Sequence, residues 1–169
     1  RMLAHAREKG FEFKMGLELE YFLVKQREDG SIEIADPYDT LEKPCYDMAG
    51  LTRRYDFLTT VSRYCNGLGW GNYANDHEDA NGQFEQNFTY DDALVSCDRA
   101  IFFRYMVHQL AERKGRDDGR NILATFMPKP FSNLTGNGCH FHMSLWKDDV
   151  NVFLDEADPL GLGLSDLAY

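Results

Sequence analysis

Hydrophobic and polar positions alternate with period two from Phe11 to Val24, the repeat of a β-strand whose two faces meet different surroundings. Phe11, Phe13, Met15, Leu17, Leu19, Tyr21 and Leu23 fall on one face; Glu12, Lys14, Gly16, Glu18 and Glu20 fall on the other. Upstream, Arg1 to Lys9 reads as the end of a helix stopped by Gly10. Downstream, Glu28-Asp29-Gly30-Ser31 supplies a turn, and Ser31 to Ala35 a short return strand. Met48 to Gly67 carries Leu51, Tyr55, Leu58, Val61 and Tyr64 at helical spacing, with Gly67 and Gly69 as the stop. Gln83 to Tyr90 alternates again. Asp91-Asp92 then opens a longer helix closed by Lys114-Gly115, with a stripe expected to include Leu94, Ile101, Tyr105, Val107 and Leu110. Ile122 to Met127 and Gly138 to Trp146 read as further strands, and Ser165-Asp166 as the start of one more helix. The expected fold is α+β: a curved antiparallel sheet presenting acidic strands, backed by helices near residues 48–67 and 91–114.

Composition narrows this picture. The 169 residues are 43% hydrophobic and 14% aromatic, enough for one folded domain with a real core. No apolar run approaches the ~20 residues that span a bilayer. The net charge of −10 disfavours nucleic-acid or anionic-membrane partners, and suits cations wherever the acids converge. Cys45, Cys65, Cys97 and Cys139 form no C-x-x-C pair. They read as reduced, mostly buried thiols of a cytoplasmic protein rather than as a zinc site or disulfide framework.

The chemistry lies in the polar positions. Glu18 and Glu20 share a strand face with Cα atoms about 6.5–7 Å apart, a spacing at which each can hold one metal of a bridged pair; a solvent-facing polar strand is the alternative. Glu78 sits in a turn-rich loop and Glu85 on the following strand with Gln83 and Asn87. Gly82 lets the backbone bend to bring the two acids together, although an ordinary acidic loop has the same composition. His140, His142 and Ser144 fall on one face behind a Gly-x-Gly turn, with Cys139, Phe141, Met143 and Leu145 on the other. An imidazole there can ligate a metal while its neighbours contact phosphate, or be a satisfied, partly buried histidine. Lys129, between Pro128 and Pro130, is either a stiffly mounted cation or a surface lysine. Four glutamates and one histidine make a hard donor set suited to Mg²⁺ or Mn²⁺. Two such ions beside phosphate-binding groups point to phosphoryl transfer.

Gly16-Leu17-Glu18-Leu19-Glu20-Tyr21-Phe22-Leu23, the run His77 to Glu85, Ala124 to Pro130 and Gly136 to Leu145 resemble, in order and spacing, the catalytic domain of the glutamine synthetase family. The His77–Glu85 run looks most like the branch that includes type III glutamine synthetase and γ-glutamylmethylamide synthetase. The resemblance implies that residues 1–169 are the N-terminal portion of such a catalytic domain, truncated at both ends and inactive alone. It implies one metal held by Glu20, Glu78 and Glu85, and a second by Glu18, His140 and a further acid. It also implies Gly136 at the amino-acid substrate, His142 and Ser144 at ATP, and Lys129 as a catalytic cation near the site. Thr135 stands where many relatives have Asn, which bears on how glutamate is oriented and on amine specificity. The implied full-length reaction is ATP-dependent ligation of ammonia to the γ-carboxylate of L-glutamate through γ-glutamyl phosphate, in a ringed homo-oligomer. Methylamine or another primary amine is the alternative acceptor. A non-catalytic relative that keeps the fold is expected to lose metal ligands that are all present here.

Overall fold

The computed structural model describes residues 1–117, 119 and 121–169. A short helix α1 (Met2–Glu8) leads into β1 (Glu12–Gln26), the spine of an eight-stranded, antiparallel sheet. β2 (Ile32–Ile34), β4 (Gln83–Phe88), β5 (Asp91–Asp92), β6 (Ile122–Thr125) and β7 (Cys139–Lys147) all pair with β1. β3 (Asn72–His77) extends the sheet beyond β4, and β8 (Val150–Asn151) beyond β7. Fifteen residues of β1 are long enough to serve different partners in succession. Lys14 lies between β5 and β7, Phe22 between β4 and β6, and Val24 between β2 and β6.

Alternation along β1 decides what each face meets. Leu19, Tyr21 and Leu23 enter the main core with Phe57, Leu58 and Val61 of α3 (Tyr55–Gly67) and Phe103, Met106 and Val107 of α4 (Ala93–Asp117). Each large side chain buried this way contributes ~1.5–3 kcal/mol. The Tyr21 hydroxyl is satisfied by donating to Gln86 Oε1 at 2.7 Å, and Gln86 Nε2 donates onward to Leu58 O and Asn75 Oδ1. On the opposite face, Phe22 and Val24 form a separate cluster with Ala80, closed by Phe131 and Leu134. The rings of Phe22 and Phe131 meet edge to face at 5.5 Å. That contact fixes the loop carrying Lys129 beside the polar stretch of the same face.

The α+β class, the curved antiparallel sheet and its helical backing are as expected; several details differ. The helix expected over residues 48–67 is two, α2 (Met48–Arg53) and α3, broken at Arg54 (φ −113°, ψ 13°). Asp36 explains the break: Arg53 Nε donates to it at 2.6 Å and Arg54 Nη2 lies 4.0 Å from it. Neighbouring side chains on a regular helix point about 100° apart, and the break turns both arginines toward one carboxylate. In α4 the expected stripe is split: Val107 and Leu110 face the core as expected, whereas Leu94, Ile101 and Tyr105 are exposed by 59, 68 and 60%. The helix is apolar on two opposite sides, and the sheet takes the side bearing Phe103, Val107 and Leu110. β3 was not anticipated, because Asn-Tyr-Ala-Asn-Asp-His has no period-two contrast.

Ser165 does not cap a helix: its hydroxyl donates to Val152 O, and the backbone makes a single turn. That region is anchored by Asp158, whose carboxylate accepts from the Leu160, Leu162 and Leu164 N–H groups and the Tyr169 hydroxyl. These donors hold its carboxyl down at about 2, the Leu160 N–H foremost. All four cysteines are free thiols, but only Cys65 is buried; Cys97 and Cys139 are exposed, against the expectation of mostly buried thiols. Among the described residues no helix is long and apolar enough to cross a membrane.

Candidate metal centre

Strand register alone lines up the acids. Glu85 stands opposite Glu20 across β4 and β1, Asp76 opposite Glu85 across β3 and β4, and His140 opposite Glu18 across β1 and β7. Residues opposite one another in antiparallel strands share a face, with Cβ atoms about 4.5–5.5 Å apart. His142 stands opposite Gly16 and Ser144 opposite Lys14, further along the same face. Ligand atoms of Glu18, Glu85 and His140 all lie within 4.8 Å of one another.

Glu78 reaches this face from the turn between β3 and β4, where its N–H donates to Gln83 O at 2.9 Å. Gly82 makes that turn possible with φ +69°, a region costly for other residues. A Cβ there would also fall 2.7 Å from Ile34 Cγ2. On the β7 side, a Cβ on Gly138 would lie 2.5 Å from Glu20 Oε1 and 3.1 Å from the His140 ring. Only glycine lets the chain enter β7 this close to the carboxylate.

Glu18 is flanked by two imidazoles, with His140 Nδ1 at 3.2 Å and His142 Nε2 at 2.8 Å. Glu20 accepts from Gln83 Nε2 at 2.8 Å, and the same amide lies 3.0 Å from both Gly136 O and Asn137 Oδ1. Charge accumulates faster than it is cancelled. Burial, with Glu20 and Glu85 close by, pushes the Glu78 carboxyl up to about 7. Burial also pushes Glu85 up to about 6, with Glu18 and Glu20 adding to the effect and the Asn87 amide opposing it. Asp76 is raised by burial and by Glu18. Near neutral pH the cluster therefore retains protons that a cation could displace. Carboxylate oxygens with an imidazole nitrogen form a hard donor set, which fits a divalent cation of that class.

Over residues 1–169 the sequence matches the catalytic domain of glutamine synthetase. The chain belongs to the glutamine synthetase catalytic-domain family. It is 49% identical over 164 residues to a glutamine synthetase of Rhizobium leguminosarum bv. phaseoli, covering 96% of this chain and 36% of that protein. It is 45% identical over 169 residues to the glutamate–methylamine ligase of Methyloversatilis universalis, covering all of this chain and 37% of that protein. A solved structure of apo GmaS without ligand superposes with a TM-score of 0.88 at 51% identity, over 99% of this chain and 37% of that one. The chain thus spans little more than a third of the length of these relatives. Membership in the glutamine synthetase family implies use of ATP and a divalent metal.

Within this glutamine synthetase fold, Glu18, Glu20, Glu78, Glu85 and His140 converge on one face. Gly136 offers its carbonyl to Gln83. Ser144 accepts from Trp146 Nε1 at 2.8 Å. Lys129 is exposed and its ammonium donates to Leu134 O, which ties it to the Gly136 turn. Several partners of the site went unnoticed in the sequence. Asp76 was missed with its strand, although it lies two residues before Glu78. Gln83 was placed on the right face without a role. Asn137 donates from Nδ2 to Thr125 O and Met127 O, joining β7's entry to the Lys129 segment.

Proposed function

We propose that the protein ligates ammonia to the γ-carboxylate of L-glutamate with ATP, through γ-glutamyl phosphate. The observation that carries this reading is the register-driven convergence of Glu18, Glu20, Glu85 and His140, joined by Glu78. Two Mg²⁺ or Mn²⁺ ions, one on Glu20, Glu78 and Glu85 and the other on Glu18, His140 and a further acid, would offset charge on the transferred phosphoryl group. The chain's own residues position the reactants. Gln83 holds Glu20 and the Gly136 carbonyl together, so the edge of the metal centre and the glutamate turn move as one. His142, beside Glu18, and Ser144, further along β7 opposite Lys14, face the ATP phosphates. Lys129 carries a positive charge next to the glutamate turn. We place the protein in the cytoplasm as a ringed homo-oligomer, with residues 1–169 supplying part of each site and no activity on their own.

The second reading, transfer to methylamine or another primary amine, draws support from the likeness to GmaS and to the Methyloversatilis ligase. Full-length protein given ATP, glutamate, Mg²⁺ and either ammonium or methylamine separates the two through ADP release and the mass of the product. Divalent-ion-dependent ADP release with ammonium is expected. Release with methylamine only selects the second reading, and none with any amine overturns both.

A further inference from the structure

Outside the ligand set, the turn that carries Glu78 is fastened to a pair of buried charged residues. Asp39, between β2 and α2, and His77, the last residue of β3, have side chains only 1 and 0% exposed. Asp39 Oδ2 accepts from His77 Nε2 at 2.7 Å and from the Gly82 N–H at 2.6 Å. Asp39 Oδ1 lies 3.3 Å from Asn81 Nδ2, which also donates to Leu41 O at 2.9 Å. The second ring nitrogen completes the arrangement, with His77 Nδ1 2.9 Å from Glu78 O. A single carboxylate thus grips both ends of the turn: the start through the imidazole, the end directly through Gly82.

The site gives a reason for such a grip. Glu78 is only half-buried and sits among Glu20, Glu85 and Asp76, so like-charge repulsion favours swinging it out to water. A turn without fixed partners would yield. Burying an ion pair is weak as a source of stability, because desolvation offsets most of the attraction; its geometric specificity is what this turn needs. We propose that Asp39 and His77 are positioning residues, a latch that holds Glu78 in the metal cluster and thereby sets the affinity of the ion bound through Glu20, Glu78 and Glu85. This rests on the metal-centre reading. The rival is a purely structural role, since His77 also packs edge-on against Phe84 with ring centroids 5.0 Å apart.

Mn²⁺ titration followed by electron paramagnetic resonance separates these cases. Glu78→Gln identifies which class of bound Mn²⁺ depends on Glu78. Asp39→Asn is expected to weaken that class by about 10–100-fold, the usual cost of losing an outer partner, while the other class stays within about twofold. Asn81→Ala, at a partly exposed residue, removes only the outer hydrogen bonds. It is expected to weaken the same class by a few-fold, and it carries the test if Asp39→Asn does not fold. Equal weakening of both classes, or an unchanged Glu78-dependent class in both variants, overturns the latch alone. No Mn²⁺ binding by the wild-type protein overturns the metal-centre reading and the latch with it.

Discussion

Glu18 and Glu78 serve one acidic face in opposite surroundings. Glu18 lies between His140 and His142, whose side chains are 63 and 66% exposed. Glu78 shares a less accessible corner with Glu20, Glu85 and Asp76, and its carboxyl is pushed up to about 7. The histidine side gives Glu18 two imidazole partners within reach of water, so an ion there replaces an existing partner. On the carboxylate side the acids raise one another's hold on protons, which a metal would displace. One face thus holds a region that is settled without an ion and a region that is frustrated without one.

The largest expected effect breaks the comparison at its frustrated side. Glu85→Gln should lower divalent-ion affinity by about 100-fold, at the upper end of what losing a metal partner costs. Glu12→Ala, at the exposed first residue of β1, should change it less than about twofold. Equal effects in calorimetry would separate Glu85 from the cluster.

Next comes the coupling of pH and stability. Glu78 and Glu85 hold protons more tightly folded than unfolded. Their contribution is therefore fully present below about pH 4.5, their unfolded value, and is lost as pH rises through about 6 to 7. Metal-free protein should lose thermal stability across that window. Mn²⁺ at about 100 Kd should return roughly 2.7 kcal/mol, or about 5–10 °C in Tm, at pH ~8 and much less at pH ~5. A metal-induced shift independent of pH would contradict the assignment.

A smaller effect sharpens the contrast. Glu78→Gln removes the repelled charge and should raise the Tm of metal-free protein by about 2–4 °C near pH 8, a gain on the order of 1 kcal/mol after solvent screening. It should change nothing near pH 4, where the carboxyl is already neutral. The smallest effect belongs to the histidine side. His142→Ala should cost under about 1 kcal/mol in metal-free protein, because exposed ion pairs contribute little. A larger loss by thermal denaturation would mean that this side, too, is structurally tuned.

The sequence carried the faces of this molecule better than its partners. Period-two alternation correctly grouped Glu18 with Glu20, and His140 with His142 and Ser144, because a strand's pleat is local. Register is not local: alternation cannot reveal that Glu85 lies opposite Glu20 or His140 opposite Glu18. Asp76 stayed hidden because polar residues dominate both faces of β3. The break at Arg54 follows from Asp36, a contact across 18 residues that helical periodicity does not record. α4 misled because two apolar sides satisfy one period equally well. Asp39 was the least legible of all: it lies in an irregular segment some 40 residues before the turn it grips.

The most direct test of the whole account is calorimetric titration of Mn²⁺ into the protein in buffers of different ionisation heat. Saturable binding with proton release near pH 6.5, fading near pH 8.5, is the predicted result, since the ion displaces protons held by Glu78 and Glu85. Absence of saturable binding, or heats near pH 6.5 that do not depend on the buffer, would contradict it.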